Sequence, residues 1–217
     1  RQIRGRFDAC LAVSAFNSAD LFKLTGEKAE VLPLFFDTPS GSSAQGKSES
    51  IRLLNVGRIV PNKGHVDLIK ILYYLKKLDP GAELIVAGRF PPELKNYRDE
   101  IEQLAAKLGL RESVQLTGFL DDQKLRDLYA SSSVYVCASG HEGFCAPLLE
   151  AMYAGMPVVA YAGRTSAVAE TMDGAGVLFY EMDHPLVAEL IFEVARNSRM
   201  RESILVRQQE RIGRIDF

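Results

Sequence analysis

Apolar positions along this chain follow two alternating rhythms. Short, β-branched apolar runs recur at Arg52-Leu-Leu-Asn-Val-Gly57, Ala82-Glu-Leu-Ile-Val-Ala-Gly88, Val114-Gln-Leu-Thr-Gly118, Val134-Tyr-Val-Cys-Ala138, Pro157-Val-Val-Ala-Tyr161 and Gly176-Val-Leu-Phe179. Runs of this length and make-up predict strands buried on both faces. Between them lie segments with helical spacing. His65 to Leu78 carries Leu68, Leu72 and Leu75, or Ile71 and Leu78, on an inner face, and Leu94 to Leu108 closes on Gly109. Further helices are predicted over Gln123 to Ala130, capped by Asp121 or Asp122, and over Leu148 to Tyr153, stopped by Gly155-Met-Pro157. Ala167 to Met172, Pro185 to Arg196 and Glu202 to Ile212 complete the set. Six strands alternating with helices predict an α/β fold with a doubly wound parallel sheet. Ligands of such sheets bind at the carboxyl ends of the strands, near the topological switch.

The first fifty residues break this rhythm. Phe7 to Ser14 reads as a strand, Ala19 to Leu24 as a short helix capped by Asn17 or Ser18 and stopped by Gly26, and Val31 to Phe36 as an extended edge. Thr38 to Ser50 is rich in Ser and Gly and has little to bury, so it predicts a linker. The expected division is residues 1–36, a linker at 37–50, and a main domain at 51–217. The start at Arg1 suggests a piece of a longer protein.

Composition narrows the function classes. The 217 residues are 47% hydrophobic and 25% charged, the profile of an ordinary globular domain. A formal net charge of -2 gives no global attraction to nucleic acid or anionic lipid, so any phosphate binding has to be local. The cysteines Cys10, Cys137 and Cys145 form no C-x-x-C pair, which speaks against a zinc site or dithiol redox motif and suits a reducing, cytoplasmic compartment. Cys10 and Cys137 read as small core residues.

Candidate chemistry gathers at strand ends. After the Val134 strand comes Ser139-Gly-His-Glu-Gly-Phe-Cys-Ala-Pro-Leu-Leu-Glu150, a loop opening a helix, with two carboxylates spaced E-x7-E. Amides around Phe144 to Ala146 would point out of the helix end, and the helix dipole favours an anion there. Gly57-Arg58 and Asn62-Lys-Gly64 follow the Arg52 strand, placing two cations on the same edge. They suit a diphosphate, Arg58 as a fork and Lys63 as a point charge; the plainer reading is two solvated surface charges. Glu150 could equally serve the helix dipole. His141 either contacts a sugar hydroxyl or orders its loop, and His65 and His184 are expected to face solvent. Gly118-Phe119 borders the same edge. Neither G-x-x-x-x-G-K-[ST] nor G-x-G-x-x-G occurs, so a P-loop or dinucleotide site is unsupported. A glycosidase pairing of the two carboxylates fits this sheet poorly.

Taken in order, Asn55-Val-Gly-Arg58, Asn62-Lys-Gly64, Leu84 to Gly88, Val114 to Phe119, Leu125 to Tyr129, His141 to Met152, Gly155-Met-Pro-Val-Val159, and Glu170 with Gly174 to Leu178 resemble the retaining glycosyltransferases of family four. The resemblance is dense over residues 51–197. It implies a GT-B architecture, with residues 51–217 as the Rossmann-like C-terminal domain that binds a nucleoside-diphosphate sugar of the GDP-mannose or UDP-glucose type. Residues 7–36 would be the end of the N-terminal acceptor domain. It further implies that Arg58 and Lys63 hold the diphosphate, Glu142 the sugar hydroxyls and Glu150 the ribose. Gly143, Phe144, Cys145 and Ala146 would face sugar and phosphate and Gly118, Phe119 and Leu120 the base, with Gly57 and His141 also in the donor-binding set.

The resemblance implies no metal cofactor, an acceptor that is a glycan or lipid-linked, and room for peripheral association with the inner face of a membrane. Cys145 stands where the family usually has glycine, and Ala169 where it often has proline. Transfer would retain anomeric configuration, with Glu142, Arg58 and Lys63 as the catalytic set. Loss of either cation is expected to weaken nucleotide binding at little cost to folding. The alternatives are a nucleotide-sugar-binding module without transfer activity and a related GT-B epimerase or phosphorylase.

Overall fold

The computed structural model describes residues 8–32, 49–163 and 165–215. Six strands, β3 (Arg52–Val56), β4 (Glu83–Ala87), β5 (Val114–Gly118), β6 (Val134–Cys137), β7 (Val158–Tyr161) and β8 (Val177–Phe179), form one sheet in the order β5-β4-β3-β6-β7-β8. Every pairing is parallel. The order grows outward in both directions from β3 and β6, so the topological switch lies between those two strands.

Alternate side chains serve two cores. Leu53, Leu84, Val86, Val134 and Val136 face helices α2 (His65–Leu78), α3 (Lys95–Lys107) and α7 (His184–Arg196). Leu54, Ile85, Tyr135, Cys137 and Val158 face α4 (Asp122–Ser131), α5 (Ala146–Tyr153) and α6 (Val168–Met172). Burial on both faces is why these strands read as near-continuous apolar runs. The last helix, α8 (Ser198–Gly213), starts ahead of the predicted Glu202 because the Asn197 side chain accepts from Met200 N and caps it. Asp121 caps α4 by accepting from Lys124 N. Among the described residues no helix is long and apolar enough to cross a membrane.

The N-terminal segment departs from its predicted form. Among its described residues only Leu11–Ala12 (β1) and Glu30–Val31 (β2) are strands, paired in parallel across helix α1 (Ala15–Thr25). The helix begins before Asn17 because Ser14, expected inside a strand, is its cap and accepts from Asn17 N. The predicted edge at 33–36 and most of the predicted linker lie outside the described residues.

Two histidines expected in solvent are not there. His65 is 1% exposed, its Nδ1 lying 3.2 Å from the Tyr97 hydroxyl. Burial, with Lys63 nearby, lowers its pKa to about 4. His184 is half-buried with Nε2 2.9 Å from Asp67 Oδ1. Helical periodicity placed neither, because His65 opens α2 on the side packed against Tyr97 of α3.

Candidate donor site at the topological switch

The loops that follow β3 and β6 meet where the sheet changes direction. Gly64 sits at φ 71, and a Cβ there would lie 2.2 Å from the Ala138 carbonyl oxygen. Glycine is what lets the Pro61–Lys63 turn press against the end of β6. Gly140 N donates to the Asn62 carbonyl at 2.9 Å, and Asn55 Nδ2 donates to the Val136 carbonyl at 2.8 Å, so both loops are tied across the switch. The buried Asn55 Oδ1 has no hydrogen-bond partner among the described residues.

This clamp brings Lys63 Nζ to 2.5 Å from Glu142 Oε1. Glu142 is 7% exposed, and its backbone is held by a hydrogen bond from Ala167 N and a bridge to Ser166. Lys63 is thus no solvated cation: it neutralises a buried carboxylate, and its loss must cost folding free energy. That corrects the expectation of a cheap substitution at this position. Arg58 is exposed, and its guanidinium has no hydrogen-bond or ion-pair partner among the described residues. Two residues so alike in sequence stand in different electrostatic situations.

Beyond Glu142 the loop turns sharply into α5. Cys145 caps it at φ 68 and ψ 61, the left-handed region that costs most residues roughly 1–2 kcal/mol. Such a cost explains why a glycine is the easier occupant. The Gly143 carbonyl accepts from Ser14 Oγ at 2.6 Å, and the Phe144 carbonyl accepts from the Thr171 hydroxyl. With both carbonyls engaged behind the loop, the amides of Phe144, Cys145 and Ala146 have no acceptor among the described residues. They remain available at the positive end of α5.

One turn on, Glu150 Oε2 accepts from the Tyr129 hydroxyl at 2.7 Å. Burial raises the pKa of Glu150, against the Tyr129 hydrogen bond, which lowers it. His141 is exposed, and its Nδ1 lies 2.7 Å from the Thr165 carbonyl. A carbonyl only accepts, so the ring hydrogen is on Nδ1 and Nε2 is left for another partner. The Cys137 thiol, a buried core residue as expected, lies beside Cys145: their interaction lowers the Cys137 pKa and, with burial, raises that of Cys145.

Gly57, Arg58, Lys63, His141, Glu142, Gly143, Phe144, Cys145, Ala146 and Glu150 therefore fall on the two loops beside the switch and the helix that one of them opens. Gly118 ends β5, and Phe119 and Leu120 follow it, two strands away from β3 on the same carboxyl edge. Phe119 is 65% exposed, with the Arg89 guanidinium 4.3 Å above its ring. Sequence reasoning missed Arg89, although it follows Gly88 at the end of β4 just as Arg58 follows Gly57 at the end of β3. It also missed Tyr129 as the partner of Glu150, which no spacing reveals. The covering of this loop by α1 was equally hidden: Phe16 packs edge-on to His141 at 6.0 Å, and Glu170 accepts from Ala15 N and Phe16 N at 2.6 and 3.0 Å.

Known proteins are similar to this chain in sequence and in fold. A GDP-mannose:cellobiosyl-diphosphopolyprenol alpha-mannosyltransferase from Xanthomonas oryzae pv. oryzae is 34% identical over 116 residues, 54% of this chain and 29% of its own length. The crystal structure of the C-terminal domain of a glycosyl transferase group 1 family protein, LpcC, from Francisella tularensis superposes with a TM-score of 0.66 at 25% identity, covering 76% of this chain and 85% of that one. Anabaena Alr3699/HepE, solved in complex with UDP and glucose, gives a TM-score of 0.79 at 20% identity over 95% of this chain and 58% of its own, and shows a shared fold. The chain spans 29% to 42% of the length of the first curated relatives it matches. Residues 42–211 match the family described as glycosyl transferases group 1, and with the six-stranded switch-point sheet of a GT-B C-terminal domain this chain belongs to that family.

Proposed function

We propose that this chain is the donor-binding half of a retaining glycosyltransferase that moves a hexose from a nucleoside-diphosphate sugar to a glycan or lipid-linked acceptor. The observation that carries the reading is the Lys63–Glu142 pair beside the open amides of α5, with exposed Arg58 across the same switch. Cation, carboxylate and amide donors in one crevice match the three parts of such a donor: diphosphate, sugar hydroxyls and developing negative charge. The Xanthomonas relative's GDP-mannose and the UDP and glucose of the Anabaena structure support this class of donor.

In this reading the bond between the anomeric carbon and the β-phosphate oxygen breaks while the acceptor hydroxyl attacks from the same face. The acceptor proton passes to the leaving phosphate, and configuration is retained. Arg58, Lys63 and the amides of Phe144 to Ala146 take up the charge on the leaving diphosphate, so the donor site needs no divalent metal. A preorganised donor aimed at such charge is worth about 2.7–4 kcal/mol of barrier. Glu142 accepts from sugar hydroxyls, Glu150 from the ribose with Tyr129 holding it, and the base lies along Phe119. Lys63 leaves Glu142, at least in part, to reach the phosphates.

Residues 8–32 are, on this proposal, the closing βαβ piece of an acceptor domain, joined by the segment at 37–50 to the donor domain at 51–217. Their exposed Leu11, Phe22, Leu24, Val31 and Leu32 are an apolar surface that further chain of that domain covers. The acceptor then enters over α1, and peripheral membrane association belongs to the longer protein.

The test is calorimetric titration of the chain with GDP, UDP, GDP-mannose and UDP-glucose. Binding of one nucleotide series, weakened at least about tenfold by Arg58→Ala without a change in thermal stability, is the expected result. Glu142→Gln separates the roles further. It frees Lys63, so the bare nucleoside diphosphate binds tighter, while the added affinity from the sugar is lost. Absence of binding for every nucleotide, or equal effects of Glu142→Gln on diphosphate and sugar nucleotide, overturns the reading. Binding by a longer protein that fails to transfer would make it a nucleotide-sugar-binding module.

A further inference from the structure

The thiols of Cys137 and Cys145 are unused by the proposed chemistry, yet they lie against its central carboxylate. A Cys137 Sγ, a Cys145 Sγ and a Glu142 carboxylate oxygen all lie within 4.8 Å of one another. The three come from the end of β6, the loop after it and the cap of α5, so the same turn that builds the donor crevice assembles them. We propose that Cys137, Cys145 and Glu142 form a binding site for a thiophilic divalent cation of the zinc class, and that this cation withdraws Glu142 from the donor.

The geometry suits such an ion. Zinc binds thiolate sulfur at about 2.3 Å and carboxylate oxygen at about 2.0–2.2 Å in a tetrahedron, which puts the ligand atoms roughly 3.5–3.8 Å apart. The existing spacing therefore closes with shifts of about 1 Å or less. The charges also sum to zero. Two thiolates and one carboxylate carry three negative charges, met by two from the cation and one from Lys63, 2.5 Å from the carboxylate.

Ser139 Oγ lies 3.4 Å from Cys137 Sγ, a position from which its hydroxyl can donate to the metal-bound sulfur. Cys137 is sealed at the rear, whereas Cys145 and Glu142, 8% and 7% exposed, lie nearest solvent. A water reaching in on that side would complete the tetrahedron, and three protein ligands are one fewer than in a closed structural site. The Cys145 backbone adds a point: this residue occupies a left-handed conformation that glycine would adopt without strain, so its thiol is present at a cost to the fold.

The loss of donor affinity rests on the donor reading given above; the metal site does not. Titrating the reduced, oxygen-free chain with Cd2+ reads the site alone, through the ultraviolet thiolate-to-cadmium charge-transfer band. One equivalent is expected to saturate the band, and Cys137→Ser and Cys145→Gly each to abolish saturable binding. Cys145→Gly relaxes its own backbone, and circular dichroism checks that it folds. No band at one equivalent, or a band unchanged in both variants, overturns the site.

A second arm measures GDP-mannose and UDP-glucose binding with and without Zn2+. At ten times its own dissociation constant the cation should raise the donor dissociation constant by about tenfold, reversibly with chelator. The same weakening in Cys145→Gly would be chelation by the nucleotide and overturns the competition. If the cadmium band forms but neither sugar nucleotide binds the metal-free chain, the donor reading fails and the metal site stands.

Discussion

Replacing Lys63 with Met keeps most of the apolar stem and removes the charge, which isolates the ion pair. Its partner Glu142 then stays in a site where only 9% of its side chain is exposed, with Lys63 at 17%. Exposed pairs are worth about 0–1 kcal/mol, while stripping one partner from a fully buried pair costs about 3–5 kcal/mol. These exposures lie close to the buried limit without reaching it, so a loss of about 2–3 kcal/mol is expected. For a chain of this size that lowers Tm by roughly 4–12 °C. Lys63→Met/Glu142→Gln removes both charges and should recover most of the loss, giving a coupling of about 2 kcal/mol in a double-mutant cycle. Urea unfolding of wild type, both single variants and the double variant measures it. A Lys63→Met change within about 0.5 kcal/mol of wild type, or additive single effects, would refute the assignment of Lys63 as the neutraliser of a buried carboxylate.

Three further outcomes follow from single contacts. His65 titrates near 4 when folded and at 6.5 when unfolded, so its stabilisation is full above 6.5 and lost as pH falls towards 4. Wild type should lose about 2 kcal/mol more than His65→Gln between pH 7.5 and 5, and equal slopes in denaturant titrations would show that His65 is not buried neutral. Glu170→Ala removes the acceptor of Ala15 N and Phe16 N and should loosen α1 by about 0.5–2 kcal/mol. Hydrogen exchange would then quicken in residues 8–32 and leave the six-stranded sheet unchanged; quickening throughout the chain would contradict this. Gly64→Ala drives a Cβ to 2.2 Å from the Ala138 carbonyl and should cost at least about 3 kcal/mol, with thermal unfolding near wild type as the contrary result.

Much of the fold was readable because the central strands β3, β4, β6 and β7 are buried on both faces. That burial demands continuous apolar runs, and the helices between them need one apolar stripe each, so strand number, alternation and the parallel class all leave periodic marks. The loop after β6 was readable as well, since glycines, an early proline and two carboxylates in twelve residues have few ordinary uses. Boundaries at α1 and α8 were misplaced because their caps, Ser14 and Asn197, resemble any other polar residue until the backbone places them. His65 was misread for a similar reason: its burial comes from Tyr97, thirty-two residues away.

The amino-acid sequence by itself determined the doubly wound sheet, the carboxyl edge proposed to bind the donor, and most of the residue types along that edge. Those features follow from hydrophobic period and local turn chemistry, which act over a few residues. Tertiary structure alone decided which charges are paired. It joined Lys63 to Glu142 across seventy-nine positions and left the exposed Arg58 guanidinium without a partner among the described residues. It set Tyr129 on Glu150, laid α1 over Gly143, and brought two thiols with no metal-binding spacing against one carboxylate. Electrostatic roles depend on distance and burial, and both are properties of the packed chain.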